Sequence, residues 1–246
     1  PEKLRIKCGI SGARMALLPY AIEVLDALVE SFTPIDIALS SYGIREGLLY
    51  EQMSKKLRKK DPLVEACAFA EMKDARAPGF GLQLFKFVLP LFPTADDEAA
   101  RLIKAACHLH DVSWRGHPDY RAEICFDNAT RANLGGLKHA ERVFLGLSLM
   151  HRYRNQRKGH KFENLFSLLS QEQMRMAEIL GKAMRLGAMM WVNKEETNAK
   201  LFWAPDAKAL QLVLEGDAVS LYGEVAEARL KSLARAMNAS FAFQAK

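Results

Sequence analysis

Between residues 51 and 193 the apolar residues return at helical spacing in one segment after another, and this repetition constrains the fold more than any single motif. DPLVEACAFAEMKDARA (61–77), GLQLFKFVLPLF (81–92), ADDEAARLIKAACHLHD (95–111), KHAERVFLGLSLMHRYRN (138–155) and SQEQMRMAEILGKAMRLGAMMWV (170–192) each carry a helical period. Glycine or proline near 61–62, 78–81, 90–93, 116–118 and 135–136 punctuates them. Helices that are apolar along one stripe bury it against one another, so this stretch predicts an all-α bundle of about 140 residues.

The flanks differ in character. PYAIEVLDALVESF (19–32) places Ile22, Leu25, Leu28, Val29 and Phe32 on one helical stripe. IDIALS (35–40) follows as a short strand-type run, then the turn SYGIREG and the start of another helix. Helix, strand and helix in that order read as the end of an α/β layer. Beyond Lys194, AKLFWAP and ALQLVLEGD read as strands, YGEVAEARLKSLARAMN as an amphipathic helix and SFAFQ as a closing strand, together a small α+β unit. The expected division is therefore 1–50, 51–193 and 194–246, and the fold class is α+β, mostly α.

Composition narrows the functional classes. Apolar residues make up 50% of the 246 and charged residues 26%, which supplies a core and excludes global disorder. The net charge of +6 points to polyanionic partners. Cys8, Cys67, Cys107 and Cys125 form no CxxC pair and read as buried free thiols of a reducing cytoplasm. No apolar run approaches the roughly 20 residues that span a bilayer. The chain opens on Pro1 rather than methionine, so it is expected to be a piece of a longer protein.

Three groups of residues invite chemistry. In SYGIREG, Gly43 permits a bend, the following helix turns free N–H groups toward the strand's end, and Arg45 offers a planar fork for phosphate. The alternative is an Arg45–Glu46 pair that braces the turn. His110 and Asp111, with His108 beside them, raise a metal site, because a His-Asp pair on a helix is the core of HD phosphohydrolases. No histidine precedes His108, and the only aspartates after Asp127 are Asp206 and Asp217 in the tail, so a structural His–Asp hydrogen bond is the expected role. Two basic tracts remain. KKLRKK contains Lys55 and Lys56, and HRYRNQRKGHK contains Arg152, Arg154, Arg157, Lys158 and Lys161. Arg152 and Arg154 lie two apart, about 200° around a helix. Arg154, Arg157, Lys158 and Lys161 recur at three- and four-residue steps and are expected to share one helical face, ahead of Arg152. Tyr153 is the lone aromatic that can stack a base there, so nucleic acid ranks below other polyanions.

SSYGIREGLLYEQM (41–54) resembles the signature of the exopolyphosphatase/guanosine-pentaphosphate phosphohydrolase family. GARMALLPYAIEVLDALVE, with Arg14, resembles the segment that precedes that signature. AACHLHDVSWRGHPDYRAEICFDNA, SLMHRYRNQRK and MRLGAMMWVN resemble later segments of the family, in the family's order. His151 precedes Arg152 and Tyr153 where the family has its histidine later, and Ser113 stands where the family has glycine. The resemblance implies that 1–50 is the end of an actin-like lobe, 51–193 an HD-like helical domain and 194–246 a small terminal domain. No Asp-x-Gly-Ser or Gly-Gly-Gly-Ser loop occurs, so no catalytic residue is expected here and the isolated chain is expected to be inactive. In the intact enzyme, water would cleave a terminal phosphoanhydride with the help of Mg2+ or a similar ion. The substrate would be inorganic polyphosphate or, alternatively, guanosine pentaphosphate, the location cytoplasmic and the assembly a homodimer. Arg45, Glu46, Lys55, Lys56, Arg154, Arg157, Lys158 and Lys161 are the expected substrate contacts. A non-catalytic polyanion-binding or dimerisation module is the reading from another class.

Overall fold

A computed structural model describes residues 2–37, 39–40, 42–156, 159, 161–190 and 198–246. The chain divides into two compact units, Pro1–Gln52 and Met53–Lys246.

The first unit holds three helices, α1 (Glu2–Cys8), α2 (Gly12–Phe32) and α3 (Ile44–Gln52). The Ser11 hydroxyl accepts the Arg14 N–H at 3.3 Å and starts α2; Thr33, in the left-handed region at φ 40°, ends it. None of the described residues of these helices is buried, so the stripe from Ile22 to Phe32 lies exposed. The strand expected over IDIALS does not form among its described residues. A strand exists by pairing, and no described segment offers this one a ladder. Instead the Asp36 carboxylate accepts the Ile37 N–H at 2.8 Å, a local bond that replaces a ladder bond.

The second unit begins with the single turn α4 (Lys55–Arg58) and continues as α5 (Pro62–Asp74), α6 (Phe80–Val88), α7 (Asp97–Leu109), α8 (Pro118–Arg131), α9 (His139–Tyr153) and α10 (Gln171–Gly187). Helix starts follow cap chemistry. Asp61 accepts the Val64 N–H at 2.9 Å with Pro62 in the first turn, Asp96 caps α7, and Ser170 with Gln173 forms a capping box on α10. Helix α8 falls outside the five periodic segments. Its buried face, Ala122, Cys125, Phe126 and Ala129, has helical spacing, but three of those four side chains are small and the signal is weak. Phe126 supplies the bulk, stacked on Phe162 at 4.4 Å and edge-on to Phe166 at 5.8 Å.

After α10 come β1 (Ala199–Ala204), β2 (Ala209–Leu214), α11 (Glu224–Met237) and β3 (Ser240–Ala245). The sheet order is β1-β2-β3; β1 pairs antiparallel with β2, and β3 parallel with β2 through the α11 crossover. Leu201, Leu210, Leu212 and Leu214 turn inward and share one hydrophobic cluster with the helical body and with Leu230 and Leu233 of α11. Polar bonds tie α11 down as well: Arg175 donates to the carbonyls of Ala236 and Met237, and Lys182 to that of Ser232. The protein is mostly helical with a small three-stranded sheet, an α+β fold. No described helix is long and apolar enough to cross a membrane.

Helix α9 is buried from Val143 to Arg152, and α10 crosses it at Gly181. A Cβ at Gly181 would run into the Ser148 carbonyl oxygen, into His151 Cβ at 2.5 Å and into the Arg152 nitrogen at 2.9 Å. Two of these three obstacles are backbone and cannot swing aside. Gly181→Ala is therefore expected to destabilise the protein by about 3 kcal/mol through overpacking, read as a lower urea midpoint. The second unit carries the buried core and the first does not, so amide exchange across 2–52 is expected to be faster than across α9.

Candidate functional site

Helix α7 ends at Leu109, and the chain tightens into successive turns through 110–116. Those turns drive His110 and Asp111 inward, each 3% exposed. Arg76, two residues past α5, grips the Asp111 carboxylate: Nε donates to Oδ2 at 2.8 Å, Nη2 to Oδ1 at 2.6 Å, and the backbone N–H to Oδ2 at 3.3 Å. Arg152, near the end of α9 and only 8% exposed, brings Nη2 to 3.7 Å from Asp111 Oδ1. Its guanidinium lies 4.7 Å from the centre of the Tyr153 ring, and the Tyr153 hydroxyl donates to the His110 carbonyl at 3.1 Å. Arg76 and Arg115 also stand over Trp114, whose indole N–H donates to the Asp74 carbonyl at 2.9 Å.

The electrostatics follow from this packing. Burial alone would raise the Asp111 pKa, but the Arg76 hydrogen bonds and the Arg152 charge overcome it and hold the carboxyl below the usual range. Burial pushes His110 down to about 3, with the Arg152 charge adding to the effect. At neutral pH His110 is thus uncharged, and because Nδ1 lies 2.9 Å from the Cys107 carbonyl, which can only accept, Nδ1 carries the proton. Burial also raises Cys125 to about 11 and Tyr153 to about 12, which leaves neither a nucleophile nor a base at neutral pH.

Beside this network opens a cleft of about 650 Å3, lined by Leu109, Val112, Ser113, Cys125, Asn128 and Lys161 among others. At its edge the Asp127 carboxylate sits between Lys161 Nζ and Arg131 Nε, 3.1 Å from each. Deeper in, Asn128 donates to the Ser113 hydroxyl at 3.0 Å.

The expected site residues fall in different places. Arg45 and Glu46 stand in the first turn of α3; Glu46 accepts the Gly43 N–H at 2.7 Å and so caps its own helix, and no Arg45–Glu46 ion pair forms. Lys55 and Lys56 occupy the exposed turn α4. Arg157 and Lys158 lie outside the described residues. Of the residues expected to share one helical face, the two described ones, Arg154 and Lys161, lie beyond α9, which ends at Tyr153. Arg154 is extended (φ −127°, ψ 143°) and donates to the Asp119 carbonyl at 3.3 Å; Gly159, at φ 80°, is left-handed and incompatible with a continued helix. Lys161 is engaged by Asp127. His110 and Asp111 do not bond to each other as expected. Asp111 turns to arginine, while His108 Nδ1 lies 2.5 Å from Glu71, whose other oxygen accepts the Gly81 N–H at 2.6 Å. Among the described residues no three His, Cys, Asp or Glu side chains converge on a metal position.

Arg76 and Asp127 are not marked by the sequence as site residues, and Arg152 is ranked there behind its neighbours in the basic tract. For Arg152 a signal existed: Leu145, Leu149 and Arg152 fall at i, i+4 and i+7 on the stripe that faces the core. For Arg76, in the linker after α5, none did.

A profile of the family described as exopolyphosphatase, C-terminal, matches residues 65–243. The chain belongs to this family. Among curated proteins none matches the chain. The matched range runs from within α5 into β3, so the Arg76–Asp111–Arg152 network and the cleft belong entirely to the exopolyphosphatase C-terminal region.

Acid should dismantle this region in a defined window. An unfolded histidine takes up its proton near pH 6.5, whereas buried His110 does so only near 3. Between those values the unfolded state binds more protons, so stability falls as pH falls. Asp111 acts in the same direction below its ordinary 3.8. The urea midpoint is expected to decline from pH 6.5 to 4, with a shallower decline in His110→Gln. Asp111→Asn leaves Arg152 buried without its anion and is expected to cost about 3 kcal/mol at pH 7, read by the same measurement.

Proposed function

We propose that this chain is the substrate-handling C-terminal portion of an exopolyphosphatase that removes terminal phosphate from inorganic polyphosphate. The observation that carries the reading is the family match across residues 65–243. The chemistry of the surface agrees with it. The net charge is +6, and Lys55, Lys56, Arg115, Arg131, Arg154 and Lys161 present exposed cations on the matched region and its N-terminal approach. A linear polyanion gains by releasing counterions as it meets such cations.

In this reading 1–50 is the end of an actin-like lobe, with Arg45 at the edge of the cleavage cleft, and the body from 51 is an HD-like domain whose HD pair is structural. Asp111 spends its oxygens on Arg76, and His110 spends Nδ1 on the Cys107 carbonyl. That pair therefore does not fit a resident divalent ion, and in this reading the Mg2+ of the intact enzyme takes its ligands from elsewhere. The role left to this chain is to bind and orient the phosphate chain while water attacks the terminal phosphorus and the next phosphate departs. The intact enzyme acts as a homodimer in the cytoplasm.

Titration of the 246-residue chain with medium-length polyphosphate should give binding whose log–log dependence on salt is steep and negative. Arg154→Ala with Lys161→Ala should flatten that slope by about 2. The chain alone should release no phosphate from polyphosphate. Metal-dependent release abolished by Asp111→Ala would sink the structural reading of the HD pair, and salt-independent binding would sink the polyanion reading.

A further inference from the structure

Three arginines stand on three successive helices, with α10 packed against α9 on one side and against α11 on the other. Helix α10 touches α9 with Gly181 against the Arg152 backbone nitrogen, and Arg185 projects from the same face of α10 one turn later. On its other side α10 meets α11 through Lys182, whose Nζ reaches the Ser232 carbonyl at 3.5 Å. Three residues onward along α10 is Arg185, and three residues back along α11 is Arg229, so the two side chains share one level of this antiparallel contact. The side chains feel one another: burial lowers the Arg185 pKa, and the charges of Arg229 and Arg152 lower it further.

What this cluster lacks is an anion. Among the described residues neither Arg185 nor Arg229 has an ion-pair partner or a side-chain hydrogen bond. Their own helices provide none: the positions three and four away are Gly181, Lys182, Ala188 and Met189 for Arg185, and Val225, Ala226, Ser232 and Leu233 for Arg229. Glu178, the nearest acid on α10, is held by Lys182 at 2.6 Å. Asp111 is 3.7 Å from Arg152 but already doubly bonded to Arg76, and the Arg152 Nε is buried with no hydrogen-bond partner. All three arginines are buried or partly buried, where like charges repel more strongly than in open water. Buried cations are ordinarily paired, and a fold that gathers three with a fraction of one carboxylate is arranged for an anion that arrives from solution.

We propose that Arg152, Arg185 and Arg229 form a phosphate-binding site that grips a phosphate group of the polyphosphate chain within the helical body. Guanidinium forks are suited to it, since each offers two parallel N–H donors to phosphate oxygens. The proposal rests on the polyphosphate reading for the nature of the chain, and on the uncompensated arginines for the place. It moves the grip from the exposed basic tracts to the junction of α9, α10 and α11.

The test uses the full chain with two probes, orthophosphate and medium-length polyphosphate, and measures thermal midpoint and affinity for wild type, Arg185→Gln, Arg229→Gln and Arg229→Glu. Because the empty site is self-repelling, Arg229→Gln should raise the ligand-free midpoint by about 2 °C. The same change should weaken polyphosphate binding about tenfold or more, as should Arg185→Gln. Arg229→Glu installs an internal counter-anion, so it should stabilise further and abolish the ligand-induced rise in midpoint. Lower ligand-free midpoints with unchanged affinity would make these arginines structural and overturn the site. Polyphosphate binding by Arg185→Gln and Arg229→Gln at wild-type strength would also overturn it while leaving the polyphosphate reading intact. If wild type ignores polyphosphate but orthophosphate stabilises it in an Arg229-dependent way, the chain reading fails and the phosphate site stands. If neither probe shifts wild type, both fall.

Discussion

The helical body is organised around one buried carboxylate. Asp111 links three places far apart in sequence: the turns after α7, the linker after α5 through Arg76, and the end of α9 through Arg152. Taking a carboxylate out of water carries a large desolvation cost, which is offset here by the doubly hydrogen-bonded Arg76. Arg76 remains half exposed, so its own desolvation is modest, while Arg152 is nearly fully buried and depends on the field of Asp111. The same arrangement suppresses the histidine beside it: His110 stays neutral because it is buried and because Arg152 already supplies a positive charge. Asp111 thereby serves as a brace between the helices.

This brace also explains why the neighbouring charges are unbalanced. Asp111 is shared between two arginines and cannot serve a third, and Glu71 and Glu178 are spent on His108 and Lys182. Among the described residues Arg185 of α10 and Arg229 of α11 are left without an ion-pair partner. Like charges gathered in a partly buried place without a counterion cost stability. Arg152, Arg185 and Arg229 all fall within the residues that match the exopolyphosphatase C-terminal family.

Much of the fold is legible in the periodicity of the chain. Five helices of the body, both strands of the β1–β2 hairpin, α11 and β3 lie within the segments that pattern alone marks out, because each buries a stripe or a face of large apolar side chains. Helix α8 hid because its inward residues are mostly alanine and cysteine, and the IDIALS strand does not form among its described residues because pairing is a property of two segments and not of one. The basic tract misled for a related reason. Spacing describes a helical face only while a helix continues, and among the described residues Arg154 is extended and Gly159 is left-handed.

What the sequence determined by itself was therefore local and repetitive: helix positions, caps such as Asp61 and Ser170, a basic balance of charge, and five family-like segments in order. The pairing of charges was decided by tertiary structure alone. Arg76 meets Asp111 across 35 residues, His108 meets Glu71 across 37, and the charges of Arg152 and Arg229 reach Arg185 only because α10 packs between α9 and α11. A side chain's spacing along its own helix says which way it points, and what stands opposite depends on how the helices cross, so the chemistry of this body is written in contacts that no stretch of sequence contains.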